Sequence, residues 1–234
     1  MRAARGAGAI IGVLLLLQML GSALVNFGLE GPLFGPPGFL RNAPLHTNQV
    51  GFAVVIALIL EALWLGIAVT VSPFGLARAR ALTLCLVSLA AVCVAVAVVE
   101  NAGVLSMLSL SETYAKASAA DRPALEAVQV GLASSRNWVH YLARMLDGSV
   151  VFVLMAVFYR CALVPRTLAA CGMVTSVLQV VGVGMPLFGR GVIFPLLAPS
   201  GFILLAIAVL LLVKGLGAEP IVVPQPLANV PTAA

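Results

Sequence analysis

Four ionisable side chains stand inside long uncharged runs of this sequence: Glu61, Glu100, Arg144 and Asp147. Each costs about 2.5–3.5 kcal/mol at the centre of a bilayer on insertion scales, so such residues turn toward a bundle interior or a water-filled cavity, where they pair, relay protons or hold a ligand. Asn137, His140, Arg144 and Asp147 step by three, four and three. On a helix they share a stripe about 80° wide, at about 100° per residue. Arg144 and Asp147 are spaced to pair along one helix, which leaves Glu61 and Glu100 in need of a proton or a partner. Gln18, Ser22 and Asn26 recur every four residues on the first apolar run, and Ser176 and Gln179 add polar groups to a later one. Together these residues predict an outward-opening polar pocket for a small molecule. Its candidate ligand-binding residues are Gln18, Glu61, Glu100, Asn137, His140, Arg144, Asp147 and Gln179.

The same residues admit two other functions. His140 near a Glu and an Asp could relay protons, and an intramembrane enzyme would use Glu61 and Asp147 for that transfer. Alternatively Arg144 bridges Asp147 to Glu61 or Glu100 and pins helices together, in a structural or regulatory partner of a membrane complex. Pairs of that kind are often worth only about 1 kcal/mol. His140 lies two residues inside Trp138, a position that suits an interfacial side chain, and the Gln and Ser positions suit helix contacts. No HExxH, GxSxG or phosphate-cradling glycine loop is present, so no catalytic residue is assigned and an enzyme is not favoured. Cys85, Cys93, Cys161 and Cys171 show no CxxC or Cys/His ligand spacing and read as small apolar fillers. His46 stands alone in a loop. No metal or cofactor is expected.

The elements that must position these groups follow from composition. Of 234 residues, 62% are hydrophobic and only 9% charged, with a mean hydropathy of +1.14. A soluble domain is about half apolar and a quarter charged, so lipid is the solvent that suits this surface. The apolar runs are about 20 residues long, which implies spanning helices rather than the alternating strands of a barrel. Six spans are predicted, over about residues 8–26, 50–71, 81–105, 138–162, 168–188 and 193–213. They form one all-α membrane domain over residues 1–216, with a disordered cytoplasmic tail at 217–234. Arg2, Arg5, the first run and Gly21-Ser22-Ala23 also resemble a signal peptide, but the length of the run and the spans that follow favour a retained helix. Residues 27–48, rich in Gly and Pro, are expected as an outer loop. Asp121, Arg122 and Pro123 then start a short amphipathic surface helix along Leu125, Val128 and Leu132.

Net charge is +5, but the basic residues are scattered between apolar runs, a pattern that sets insertion orientation rather than nucleic-acid binding. With the amino terminus inside, inner segments hold Arg2, Arg5, Arg78, Arg80, Arg160, Arg166 and Lys214 against Glu219. Outer segments hold Arg41, Lys116, Arg122, Arg136 and Arg190 against Glu30, Glu112, Asp121 and Glu126. The positive-inside rule therefore places both termini in the cytoplasm, as an even number of spans also requires. The expected partners are the lipid bilayer and a small-molecule ligand.

One stretch carries a resemblance. Tyr159-Arg160-Cys161-Ala162-Leu163-Val164-Pro165-Arg166, continuing to Leu168, Ala169 and Gly172, joins span four to span five. With Glu61, Glu100, Trp138 and a closing Leu211, Lys214 and Gly215, it resembles the bacterial membrane family called domain of unknown function 4386, over roughly residues 8 to 216. The resemblance implies a protein of the bacterial cytoplasmic membrane and brings no activity with it. The chain departs from the family pattern at Leu204, where a Glu is expected, at Leu210, where a Trp is expected, and at Arg144, where an uncharged residue is usual.

Overall fold

Six apolar runs become six long helices in the computed structural model, which describes residues 2–217. They are α1 (Arg2–Ala23), α2 (Thr47–Gly75), α3 (Arg80–Lys116), α4 (Arg122–Cys161), α5 (Arg166–Gly184) and α6 (Ala198–Lys214). With the short helical turns that extend α1 to Phe34, α5 to Phe188 and α6 back to Phe194, all six segments are long and apolar enough to cross a membrane, and the described residues contain no strand. The protein is an integral, multi-pass membrane protein. Each helix packs on its successor and α6 returns to α1, closing a ring in chain order, while α2 also reaches α4 across it. The Leu216 N–H donates to the Ala4 carbonyl (3.2 Å) and the Gly217 N–H to the Leu163 carbonyl (2.8 Å). Both ends of the described chain therefore meet the α4–α5 turn at one end of the bundle, here the terminal end; the opposite end is the far end.

The α1–α6 seam closes through glycine. A Cβ on Gly8 would run into the backbone of Gly215 and Leu216, and one on Gly12 into the Ala208 carbonyl and the Leu212 side chain. Small residues spaced by four let backbones approach, which matters in lipid because packing drives helix association there. On the outer side of α1, Ile10, Val13, Leu17 and Leu20 are exposed and step by three and four, the stripe a helix presents to lipid.

The interior divides along its length. Toward the terminal end it is a continuous apolar core that includes Ile11, Leu15, Ile67, Leu86, Leu154, Phe158 and Ile207. Beyond the middle, toward the far end, the facing side chains become polar. A smaller apolar cluster, with Leu33, Phe39, Val54 and Met107, then closes over part of the far end.

Two regions differ from the sequence expectation. Residues 122–136 are helical, but they continue α4 without a break instead of forming a separate surface helix. Asp121 stands at the helix start, yet its carboxylate accepts from the Ser118 hydroxyl (2.6 Å) rather than capping the helix. The α3–α4 hairpin is tied by the Tyr114 hydroxyl donating to Glu126 Oε1 (2.7 Å) and by the Arg122 guanidinium over the Tyr114 ring. The Gly/Pro-rich segment is also largely helical. α1 widens into a π-helical stretch, Leu24–Glu30, followed by the short helices Gly31–Phe34 and Phe39–Asn42 and the turn Ala43–Leu45. Pro32 and Pro44 stand in the first turn of their helices, where the missing N–H costs no hydrogen bond. The segment folds back as a cap. The Asn42 side-chain amide donates to the Leu33 and Gly35 carbonyls, and the Gln49 amide donates to the Leu29 carbonyl. The tail expected from residue 217 onward lies, Gly217 apart, outside the described residues.

Candidate functional site

Glu61 is fourteen residues from either end of α2, about 21 Å along the helix axis each way. Its neighbour on α4 is Arg144. The Arg144 guanidinium donates to Glu61 Oε1 at 2.7 Å through one terminal nitrogen and pairs with Asp147 Oδ2 at 2.7 Å through the other. One cation thus holds a carboxylate from its own helix, at the predicted spacing, and a second from α2. Glu61 and Asp147 are only 4% and 6% exposed, and each keeps one buried oxygen, Glu61 Oε2 and Asp147 Oδ1, with no hydrogen-bond partner among protein atoms.

From this pair a ladder of charges climbs to the far end. Glu100 of α3 takes His140 Nδ1 at 2.7 Å and lies 3.9 Å from Arg144 and 3.5 Å from Arg136. Arg136 in turn donates to Glu30 Oε2 at 2.6 Å, at the end of the π-helical stretch, with its guanidinium over the Phe34 ring. Four helical elements therefore contribute, and the ion pairs run from Asp147 to Arg144, from Arg144 to Glu61 and Glu100, from Glu100 to His140 and Arg136, and from Arg136 to Glu30. The formal count is four carboxylates against two guanidiniums, with one imidazole. A cavity of about 30 Å³ opens beside the ladder, lined among others by Ser22, Asn26, Glu61, Asn101, His140 and Arg144. That is room for one or two water molecules.

A family model described as a domain of unknown function (DUF4386) matches residues 10–215. The chain belongs to that family. The DUF4386 match covers α1 from residue 10, the other five helices in full and every rung of the ladder. No curated protein and no solved structure matches the chain.

The structure brings five of the eight candidate residues of this DUF4386 protein together: Glu61, Glu100, His140, Arg144 and Asp147. It leaves three apart. Asn137 is exposed, because the inward stripe of α4 is Arg136, His140, Arg144 and Asp147, stepping by four, four and three. Gln18 is buried at the α1–α2 contact. With its amide oriented to satisfy both neighbours, it donates to the Leu60 carbonyl and accepts from Trp64 Nε1, each at 2.9 Å. Gln179 lies by Gly148 at the α4–α5 contact, and Ser176 bonds its own helix at the Gly172 carbonyl. Ser22 and Asn26 do line the cavity, where the Asn26 amide donates to the Ser22 carbonyl (2.8 Å).

Sequence reasoning missed Arg136 and Glu30. Arg136 was legible: it precedes His140 by four, and its place on the stripe outweighs its place at the edge of a polar segment. Glu30 was not, because no helical register carries from α1 through a π-helical stretch. The described residues hold no group of three or more His, Cys, Asp or Glu side chains that could bind a metal ion. All four cysteines are free.

Proposed function

We propose that this protein binds a small cationic species in the middle of the membrane, through a polar cavity reached from the far end. One observation carries the reading: four buried or nearly buried carboxylates share two arginines and one histidine around a cavity of water size. With His140 neutral the cluster has a formal charge of −2. An uncompensated charge in so poorly solvated a place costs several kcal/mol, so it draws a counter-cation. The cavity narrows the small-molecule reading of the sequence to something the size of water. The apolar core on the terminal side supports access from the far end alone.

Orientation belongs to the same proposal. The basic residues at the terminal end favour a cytoplasmic location for both termini and an outward-facing cavity, in the cytoplasmic membrane of a bacterium. Lipid surrounds the ring, and the bound cation is its proposed small-molecule partner.

Trp64 lies one helical turn from Glu61 and is 3% exposed, so its fluorescence reports on the site once Trp138 is replaced by Phe. Protein in nanodiscs is titrated separately with acid, Na+, K+ and methylammonium. At least one of these is expected to give a saturable response that Glu61→Gln abolishes without loss of the folded state. Indifference of the wild-type site to all four would overturn the proposal.

A second reading has its own support. Both terminal nitrogens of Arg144 pair with carboxylates, Glu61 and Asp147, at hydrogen-bond distance, as in a purely structural clamp. The clamp predicts no titration response and a Glu61→Gln effect on stability alone.

A further inference from the structure

We infer that the cation is the proton, loaded onto the Glu61–Asp147 pair and exchanged with the far side of the membrane along Glu100 and His140. The inference rests on the cation-binding reading and names its ligand. Three observations carry it.

First, the place a metal or amine would take is already filled. The Arg144 guanidinium lies between Glu61 and Asp147, within 2.7 Å of each, and the remaining space is about 30 Å³. A proton needs no room of its own. Second, the unpartnered atoms suit a proton. Glu61 Oε2 and Asp147 Oδ1 are buried acceptors on side chains less than a tenth exposed, and a proton on either turns an orphaned acceptor into a hydroxyl donor. Third, one water-sized cavity joins the groups. Glu61 lines the cavity with Glu100 and His140. His140 reaches Glu100 at 2.7 Å and is the more exposed of the two, at 23% of its side chain against 10%. Imidazole is the side chain best suited to pass a proton near neutral pH.

The groups around Glu61 come from every element packed against it. Arg144 and Asp147 face it from α4, while from α3 Glu100 and Asn101 line the cavity with it and Cys93 lies close. From α1 and the π-helical stretch the cavity receives Ser22, Val25, Asn26 and the carboxylate residue Glu30. In the loading step a hydronium ion in the cavity gives up one proton. An O–H bond forms on the Glu61 carboxylate as one breaks in the hydronium, leaving water, and the cluster charge falls from −2 to −1. Release is the reverse. Arg144 is the positioning residue, because it fixes both carboxylates and leaves one oxygen of each free.

Infrared difference spectroscopy on the protein in nanodiscs tests this. Wild type should show the carbonyl stretch of a protonated carboxylic acid, moved by D2O and lost when the pH is raised. Glu61→Gln should lose that band, and Glu61→Asp should restore it at a shifted position, which separates loss of the proton site from misfolding. His140→Asn should keep the band and slow its response to a pH jump at least tenfold. No such band in wild type, or an unchanged band in Glu61→Gln, would overturn the inference. If that failure came with a Trp64 response to Na+ or methylammonium, the cation site would stand and only the proton would fall. If neither signal were seen, both would fall.

Discussion

Arg144 holds Glu61 and Asp147 at once, so at the scale of single residues its loss differs from the loss of either acid. Arg144→Met leaves two buried carboxylates without their cation. Breaking a buried pair from one side typically costs about 3–5 kcal/mol, and thermal unfolding in detergent should register a loss of that size. Replacing all three groups with apolar residues (Arg144→Met, Glu61→Leu, Asp147→Leu) should recover most of it, because such triads are often no more stable than apolar packing. A triple variant as unstable as Arg144→Met would show that the cluster itself holds the bundle together. The Arg136–Glu30 pair, with side chains 8% and 12% exposed, should behave the same way. Arg136→Met alone destabilises, and Arg136→Met with Glu30→Leu destabilises less.

At the scale of helices, two glycines predict opposite outcomes. Gly8 packs against the backbone of Gly215 and Leu216. Gly8→Val forces α1 and α6 apart and should cost about 1–3 kcal/mol, the usual range for overpacking. Gly131 is exposed on α4 with no atom within 4 Å of a Cβ. Gly131→Ala should therefore stabilise by up to about 1 kcal/mol through helix propensity. Unfolding midpoints of the two variants, measured in one detergent, check both. Helices were also where the sequence was easiest and hardest to read. The six spans were legible because a bilayer demands about 20 apolar residues per crossing. The ends of α3 and α4 were not, because water tolerates a helix as well as a loop: Ser109 to Lys116 and Arg122 to Arg136 extend helices whose apolar signal has already stopped. Residues 27–48 read as a loop because their prolines and glycines punctuate very short helices. The candidate site was legible in its membrane-buried charges. It was misplaced by one position on α4, at Asn137 instead of Arg136, where a polar side chain near a span end fits either register.

At the scale of the whole molecule, polarity runs along the bundle axis. One half is apolar and tight, and the other is charged and open to water-sized species. Both ends of the described chain sit at the apolar half, and the Ala117–Asp121 turn sits at the other. With the termini cytoplasmic, as proposed, a membrane-impermeant thiol reagent added outside intact cells should label Ser118→Cys, in a background without native cysteines. A reporter fused before Arg2 or after Gly217 should remain on the cytoplasmic side. Labelling of both locations from one side would contradict the six-pass topology.

The seam between α1 and α6 makes chain order cyclic. With the Leu216 N–H on the Ala4 carbonyl, a short linker could join the two ends, and the polypeptide could be cut anew in the turn Leu76–Ala79 on the same face. The rearranged polypeptide would begin at α3, finish at α2 and still make every neighbouring contact of the original. A ring of this kind has no outermost helix, so its identity lies in who sits beside whom rather than in who comes first.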